Sequence, residues 1–216
     1  MTRLLFLAAV ALWSAGCLSP WSSSRGVQAD YNRAILSGQK GEDAQAIQEY
    51  SRAIEGDPGF FKGYNNRGLA HDKLGEYEQA NRDFTRAIEL NPRYADAYYN
   101  RGNTWFHQGD EKRAADDYSR AIQIDPRHVE AFHNRGVVFG RRGDFQLAAA
   151  DFSRAIDLCR AALPLYRPRL AQASYNRGLI HENRGDRTRA AQDFSTACKL
   201  GHPAGCEGLR KLEPER

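Results

Sequence analysis

Methionine occurs once and tryptophan three times in the 216 residues. No apolar stretch approaches the ~18 residues that a membrane-spanning helix requires, so a polytopic membrane protein is excluded. Charge of one sign is not in excess either: 31 Lys and Arg stand against 27 Asp and Glu, and the formal charge of +4 is spread over a mixed surface with no basic arm. Nucleic acid is therefore not indicated as a partner. The histidines, His71, His107, His128, His133, His181 and His202, are scattered with none at ligand spacing, and no metal is expected. Serines lack a paired base, no carboxylate dyad stands out, and a Gly-rich phosphate loop is missing, so neither an enzyme nor a cofactor is expected. What is present, 41% hydrophobic and 27% charged residues with 11% aromatics, excludes a disordered chain and suffices for a packed core.

Residues 1–16 read as an export signal: Arg3, then a ten-residue apolar run from Leu4 to Trp13, then small residues. Ser14-Ala15-Gly16-Cys17 resembles the lipobox of bacterial lipoproteins, although Ser14 departs from the usual Leu. That resemblance implies lipidation at Cys17. Leu18, where an Asp would retain the protein at the inner membrane, implies an outer-membrane lipoprotein facing the periplasm. The alternative is an ordinary secretory signal and a soluble periplasmic protein. Residues 17–26, with four Ser and a Pro, read as a flexible tether.

A single period organises the remainder. Asn32-Arg33-Ala34, Asn66-Arg67-Gly68, Asn100-Arg101-Gly102, Asn134-Arg135-Gly136 and Asn176-Arg177-Gly178 are spaced by 34 residues, except the last by 42. Each is followed at fixed distances by a Gly (Gly41 in the first), an Ala (Ala46), an aromatic (Tyr50) and a second Ala (Ala53), and Pro58, Pro92 and Pro126 close the first three units. This pattern resembles the tetratricopeptide repeat. The resemblance implies an all-α, right-handed α-solenoid of five helix-turn-helix units, 27–60, 61–94, 95–128, 129–170 and 171–204, with a short capping helix at 205–212 and a tail at 213–216. The fourth unit carries eight extra residues around 163–170, where Pro164 and Pro168 forbid a regular helix interior, giving either a protruding contact loop or a longer turn.

Two features are particular to this chain. Arg at the seventh place of every unit is matched by an acid at the twenty-third: Arg33 with Glu49, Arg67 with Asp83, Arg101 with Asp117, Arg135 with Asp151, Arg177 with Asp193. Sixteen residues span the turn between antiparallel helices, so an ion pair is expected within each repeat. The other is cysteine. The stretch from Ala197 to Cys206 resembles the Cys-containing units of Sel1-like repeats, which implies a disulfide between Cys198 and Cys206; a small core residue at Cys198 is the rival. Cys159 is expected to be buried and free.

Function is implied by the family resemblance and by elimination: a non-catalytic protein-protein interaction scaffold or adaptor. In tetratricopeptide proteins the first helices line a groove, and the corresponding residues here are Tyr31, Leu69, Tyr99, Asn103, Phe106, His133, Val137, Tyr175 and Leu179, with Asp72 and His107 beside them. Tyr99, Phe106 and Tyr175 are the expected aromatic anchors. Tyr99 and Gln172 stand where relatives that clamp a terminal carboxylate carry Lys, so an internal segment or an amphipathic helix is the expected ligand. The implied partners are other envelope proteins, bound as peptides or helices. The alternative function is a self-assembling structural protein of the envelope, a homodimer among its forms.

Overall fold

The computed structural model describes residues 20–161 and 166–212. Among these, eleven helices and no strand occur, and every helix packs against the next. They run α1 Pro20–Gln39, α2 Asp43–Gly56, α3 Phe61–Lys73, α4 Tyr77–Leu90, α5 Ala95–His107, α6 Glu111–Ile124, α7 Val129–Arg141, α8 Phe145–Ala161, α9 Arg167–Asn183, α10 Arg187–Lys199 and α11 Pro203–Leu212. The result is an α-solenoid of five helix pairs closed by α11.

The repeated glycine explains where each first helix stops. Gly41, Gly75, Gly109, Gly143 and Gly185 all have φ between 77° and 81°, the left-handed region that side chains disfavour. The following N–H then reaches back into the helix: Glu42 N–H donates to the Ser37 carbonyl at 2.9 Å, and Asp110 N–H to that of Trp105 at 2.9 Å. Asp110 and Asp186 also cap α6 and α10 through their side chains, accepting from the N–H of Arg113 and Arg189. At the other end of each pair, the Asp57, Asn91 and Asp125 side chains fold the chain around the prolines by accepting from the N–H two residues on.

Small residues set the packing distance. Ala46, Ala80, Ala114, Ala148 and Ala190 are fully buried, as are Ala53, Ala87, Ala121, Ala155 and Ala197. Between the paired helices lies the ring of Tyr50, Phe84, Tyr118, Phe152 or Phe194. A Cβ added to Gly102 would come within 2.8 Å of the Tyr118 ring, and one added to Gly178 within 2.7 Å of Phe194. In these units the Gly of the triad makes room for the aromatic of its own unit, whereas in the first unit Ala34 stands there, buried with Tyr50.

Two segments differ from expectation. Helix α1 begins at Pro20, so residues 20–26, expected as part of a tether, are helical. Among the described residues of the fourth unit the helices are longer than elsewhere: α8 and α9 have 17 residues each, against 14 in α6 and 13 in α5, and residues 167–170 of the extra stretch belong to α9. Pro168 sits in the first turn of α9, where its missing N–H would have had no helical partner in any case. Pro164, the export segment with Cys17, and the tail at 213–216 lie outside the described residues.

Candidate interaction groove

The groove is built on the Asn-Arg-Gly triads, because they fix each first helix against its neighbour. The Arg forms a two-pronged bond with the acid of its own unit: in Arg101, Nε and Nη2 lie 2.8 Å from the two Asp117 oxygens. Arg67 does the same with Asp83, Arg135 with Asp151, and Arg177 with Asp193. The third donor, Nη1, reaches the preceding unit, at Ser51, Thr85, Ser119 and Ser153 respectively, 2.9–3.0 Å away. Each Arg therefore staples two units, and its partner carboxylate is buried. Bonding to these acids pushes the Arg67 and Arg177 guanidinium groups above their ordinary range.

The first unit breaks the pattern. Arg33 pairs with Asp30 on its own helix, while Glu49 accepts from Ser37 at 2.9 Å and Gln45 at 3.1 Å, so the expected Arg33–Glu49 pair does not form. Glu49 is one methylene longer than the Asp used elsewhere, and Ser37 and Gln45 take up its oxygens. Arg33 is left 54% exposed, whereas Arg101 is 20% exposed.

The Asn of each triad binds the fifth-place residue of the unit before. Asn66 Nδ2 donates to Tyr31 Oη at 2.9 Å, Asn100 to Asn65 Oδ1 at 3.0 Å, and Asn134 to Tyr99 Oη at 3.3 Å and Asn103 Oδ1 at 2.9 Å. Asn176 approaches His133 Nε2 at 3.4 Å. These cross-unit roles of the Asn and of the hydroxyl row were missed in the sequence, although a Ser or Thr at the twenty-fifth place of every unit was there to be seen.

The expected groove residues divide into two groups. Leu69, Asn103, Phe106 and Val137 converge, with Asp72, on a pocket of about 290 Å³ between α3, α5 and α7. Leu69 and Asp72 also line a second, more apolar hollow of about 480 Å³ between α1 and α3, so the two join into a trough. Phe106 is covered on one side by the Arg141 guanidinium, 5.0 Å from its ring centre. The remaining residues are spent on packing. Tyr31 meets Phe60 at 4.8 Å, Tyr99 meets His128 at 4.7 Å, and Tyr175 stacks on His202 at 4.6 Å between ring centres. Tyr99 and Tyr175 are thus half-buried, as expected, and pack between elements. His133 lies against Phe152, and burial pushes its imidazole down to about 4. Leu179 is half-buried and lines neither pocket.

At the far end, Cys198 and Cys206 are joined by a disulfide that clips α11 to α10. Gly205 and Gly208 let α11 lie directly on Ala197 and Phe194. Cys159 is free and buried, and burial pushes its thiol up to about 11. Among the described residues no group of His, Cys, Asp and Glu could hold a metal, and no helix is long and apolar enough to cross a membrane.

Residues 65–129 and 133–203 match the family model described as Tetratricopeptide repeat, and 39–75 match a second, described as TPR repeat. No curated protein matches the chain. Among solved structures, the crystal structure of MamA protein is 21% identical, covers 89% of this chain and 98% of its own, and superposes with a TM-score of 0.68. YrrB, described as a TPR protein with an unusual peptide-binding site, is 20% identical with the same coverages and a TM-score of 0.66. PilF of Pseudomonas aeruginosa is 15% identical, covers 88% of this chain and 90% of its own, and has a TM-score of 0.74. At these identities the likeness shows the fold.

Proposed function

The chain belongs to the tetratricopeptide repeat family, and from that premise we propose that it is a non-catalytic scaffold which binds segments of other envelope proteins in the trough between α1 and α7. The observation that carries this reading is the pair of contiguous hollows sharing Leu69 and Asp72, on the face formed by the first helices. Its walls suit a polypeptide. Leu69, Phe106 and Val137 offer apolar surface, and Asn100 Oδ1 and Asn134 Oδ1 are not used in the ladder that holds the units together. YrrB, with its peptide-binding site, is similar in fold.

Cys17, next to its lipobox-like residues, is the proposed lipid anchor, which would hold the scaffold on the periplasmic side of an outer membrane. Helix α11 and its disulfide cover the C-terminal end of the stack, which counts against end-to-end self-assembly there. The test is capture of partners from detergent-solubilised envelope by the full-length chain. The wild type should retain a defined set of proteins that Phe106→Ala loses while keeping its helical content; retention unchanged in the variant would place the working surface elsewhere. Cys17→Ser should move the chain from the membrane to the soluble fraction, and an unchanged distribution would remove the anchor.

A further inference from the structure

Resting on the trough as the binding surface, we propose that its occupant is an extended segment presenting a lysine next to a large apolar residue, with Asp72 as the receptor for the ammonium group. The charges around the trough are mostly matched. Lys73 Nζ lies 3.2 Å from Asp43, Arg141 Nε 2.9 Å from Glu111, and Arg169 Nε 3.7 Å from Glu130. Asp72, where the two hollows meet, has no Lys or Arg partner. Its side chain is 17% exposed, and both of its bonds fall on one oxygen: Thr104 Oγ1 donates to Oδ1 at 2.8 Å, and His107 Nδ1 lies 3.4 Å from the same atom. Oδ2 has no hydrogen-bond partner among the described residues, and Asp72 lines both hollows.

This geometry selects among cations. A lysine ammonium is a compact charge that a single open carboxylate oxygen can receive, whereas the planar fork of arginine is matched by both oxygens, as the Arg101–Asp117 bond in this same molecule illustrates. Thr104 already occupies the other oxygen. On the same side, Leu69, Phe106 and Val137 line a hollow of about 290 Å³ that takes one bulky apolar side chain. The unused carbonyl ends of the Asn100 and Asn134 amides favour an extended main chain over a helix, because a helix satisfies its own peptide N–H groups and leaves nothing for them to bond.

The experiment is a selection of random twelve-residue peptides displayed on phage against the immobilised full-length chain and against its Asp72→Asn variant, which preserves the Oδ1 acceptor for Thr104. Wild type should enrich Lys several-fold over Arg, beside Leu, Ile, Phe or Met, and Asp72→Asn should lose the Lys enrichment while keeping the apolar one. A second readout needs no variant: acetylating the lysine of a selected peptide should weaken its binding to the wild type by about tenfold, as expected for loss of one charge-assisted bond. Apolar enrichment without Lys, or Lys enrichment that persists in Asp72→Asn, overturns the lysine assignment and leaves the trough standing. Recovery of no peptide, or of peptides whose binding survives Phe106→Ala, overturns both.

Discussion

The two halves of the face made by the first helices share a repeat pattern and differ in what fills them. Between α1 and α7 the side chains Leu69, Phe106 and Val137 surround open volume. From α7 to α11 the equivalent places are occupied: His133 lies against Phe152, Tyr175 stacks on His202, and His202 Nε2 reaches Gln172 Oε1 at 3.1 Å. The difference shows how one repeat can serve two ends. A fifth-place ring packs on the aromatic that closes its own unit, as Tyr31 does on Phe60, Tyr99 on His128 and Tyr175 on His202, and a hollow remains where the neighbouring places carry smaller or polar groups. Stability should therefore concentrate in the C-terminal half of this face, and binding in the N-terminal half.

That division can be broken from either side. The largest effect is expected at Tyr175: its change to Ala removes a ring packed on both Phe194 and His202, and thermal unfolding should report a loss of about 3 kcal/mol with peptide binding by the remaining folded protein unchanged. Replacing Cys198 and Cys206 together by Ser opens a nine-residue loop, and denaturant titration should show about 2.5 kcal/mol less stability, again with binding intact. His133 is held neutral by burial, with its folded value at about 4 against an ordinary 6.5, so the unfolded chain takes up the proton first as pH falls. Stability should be flat above about pH 7.5 and decline by roughly 2.5 kcal/mol between pH 6.5 and pH 4, and His133→Gln should flatten that part of the profile. The smallest effect belongs to the open half: Leu69→Ser, at a side chain 36% exposed, should change stability by no more than about 0.5 kcal/mol.

Much of this architecture was legible in the sequence because a 34-residue period repeats the same physical demands: Gly at the left-handed turn, Ala at the crossing, an aromatic in the gap. The Arg–Asp pairs of four units were legible for the same reason. Arg33 was misread because repeat position does not register local rivals: Asp30 takes the Arg, and Ser37 and Gln45 take Glu49. The groove was only half visible. Leu69, Phe106, Asn103 and Val137 fall together around one hollow, whereas Tyr99 and Tyr175, chosen by the same repeat position, pack on His128 and His202. Whether a fifth-place ring stays free is decided by partners such as His128, 29 residues on, and His202, 27 residues on, and no local pattern states that pairing. The helical course of residues 20–26 was hidden by a Ser-rich composition that reads equally as linker.

The central claim is that the open half of the face is the working surface. A peptide selected on the wild-type chain should be titrated by fluorescence polarisation against two single variants that place the same charge in the two halves, Leu69→Arg and Leu179→Arg. Arg at position 69 puts a bulky charge at the junction of both hollows, beside Asp72, and should weaken binding by about a hundredfold or more. Arg at position 179 should leave the dissociation constant within about twofold of wild type, provided circular dichroism shows both variants folded. Equal losses in the two variants, or a loss confined to Leu179→Arg, would contradict the account.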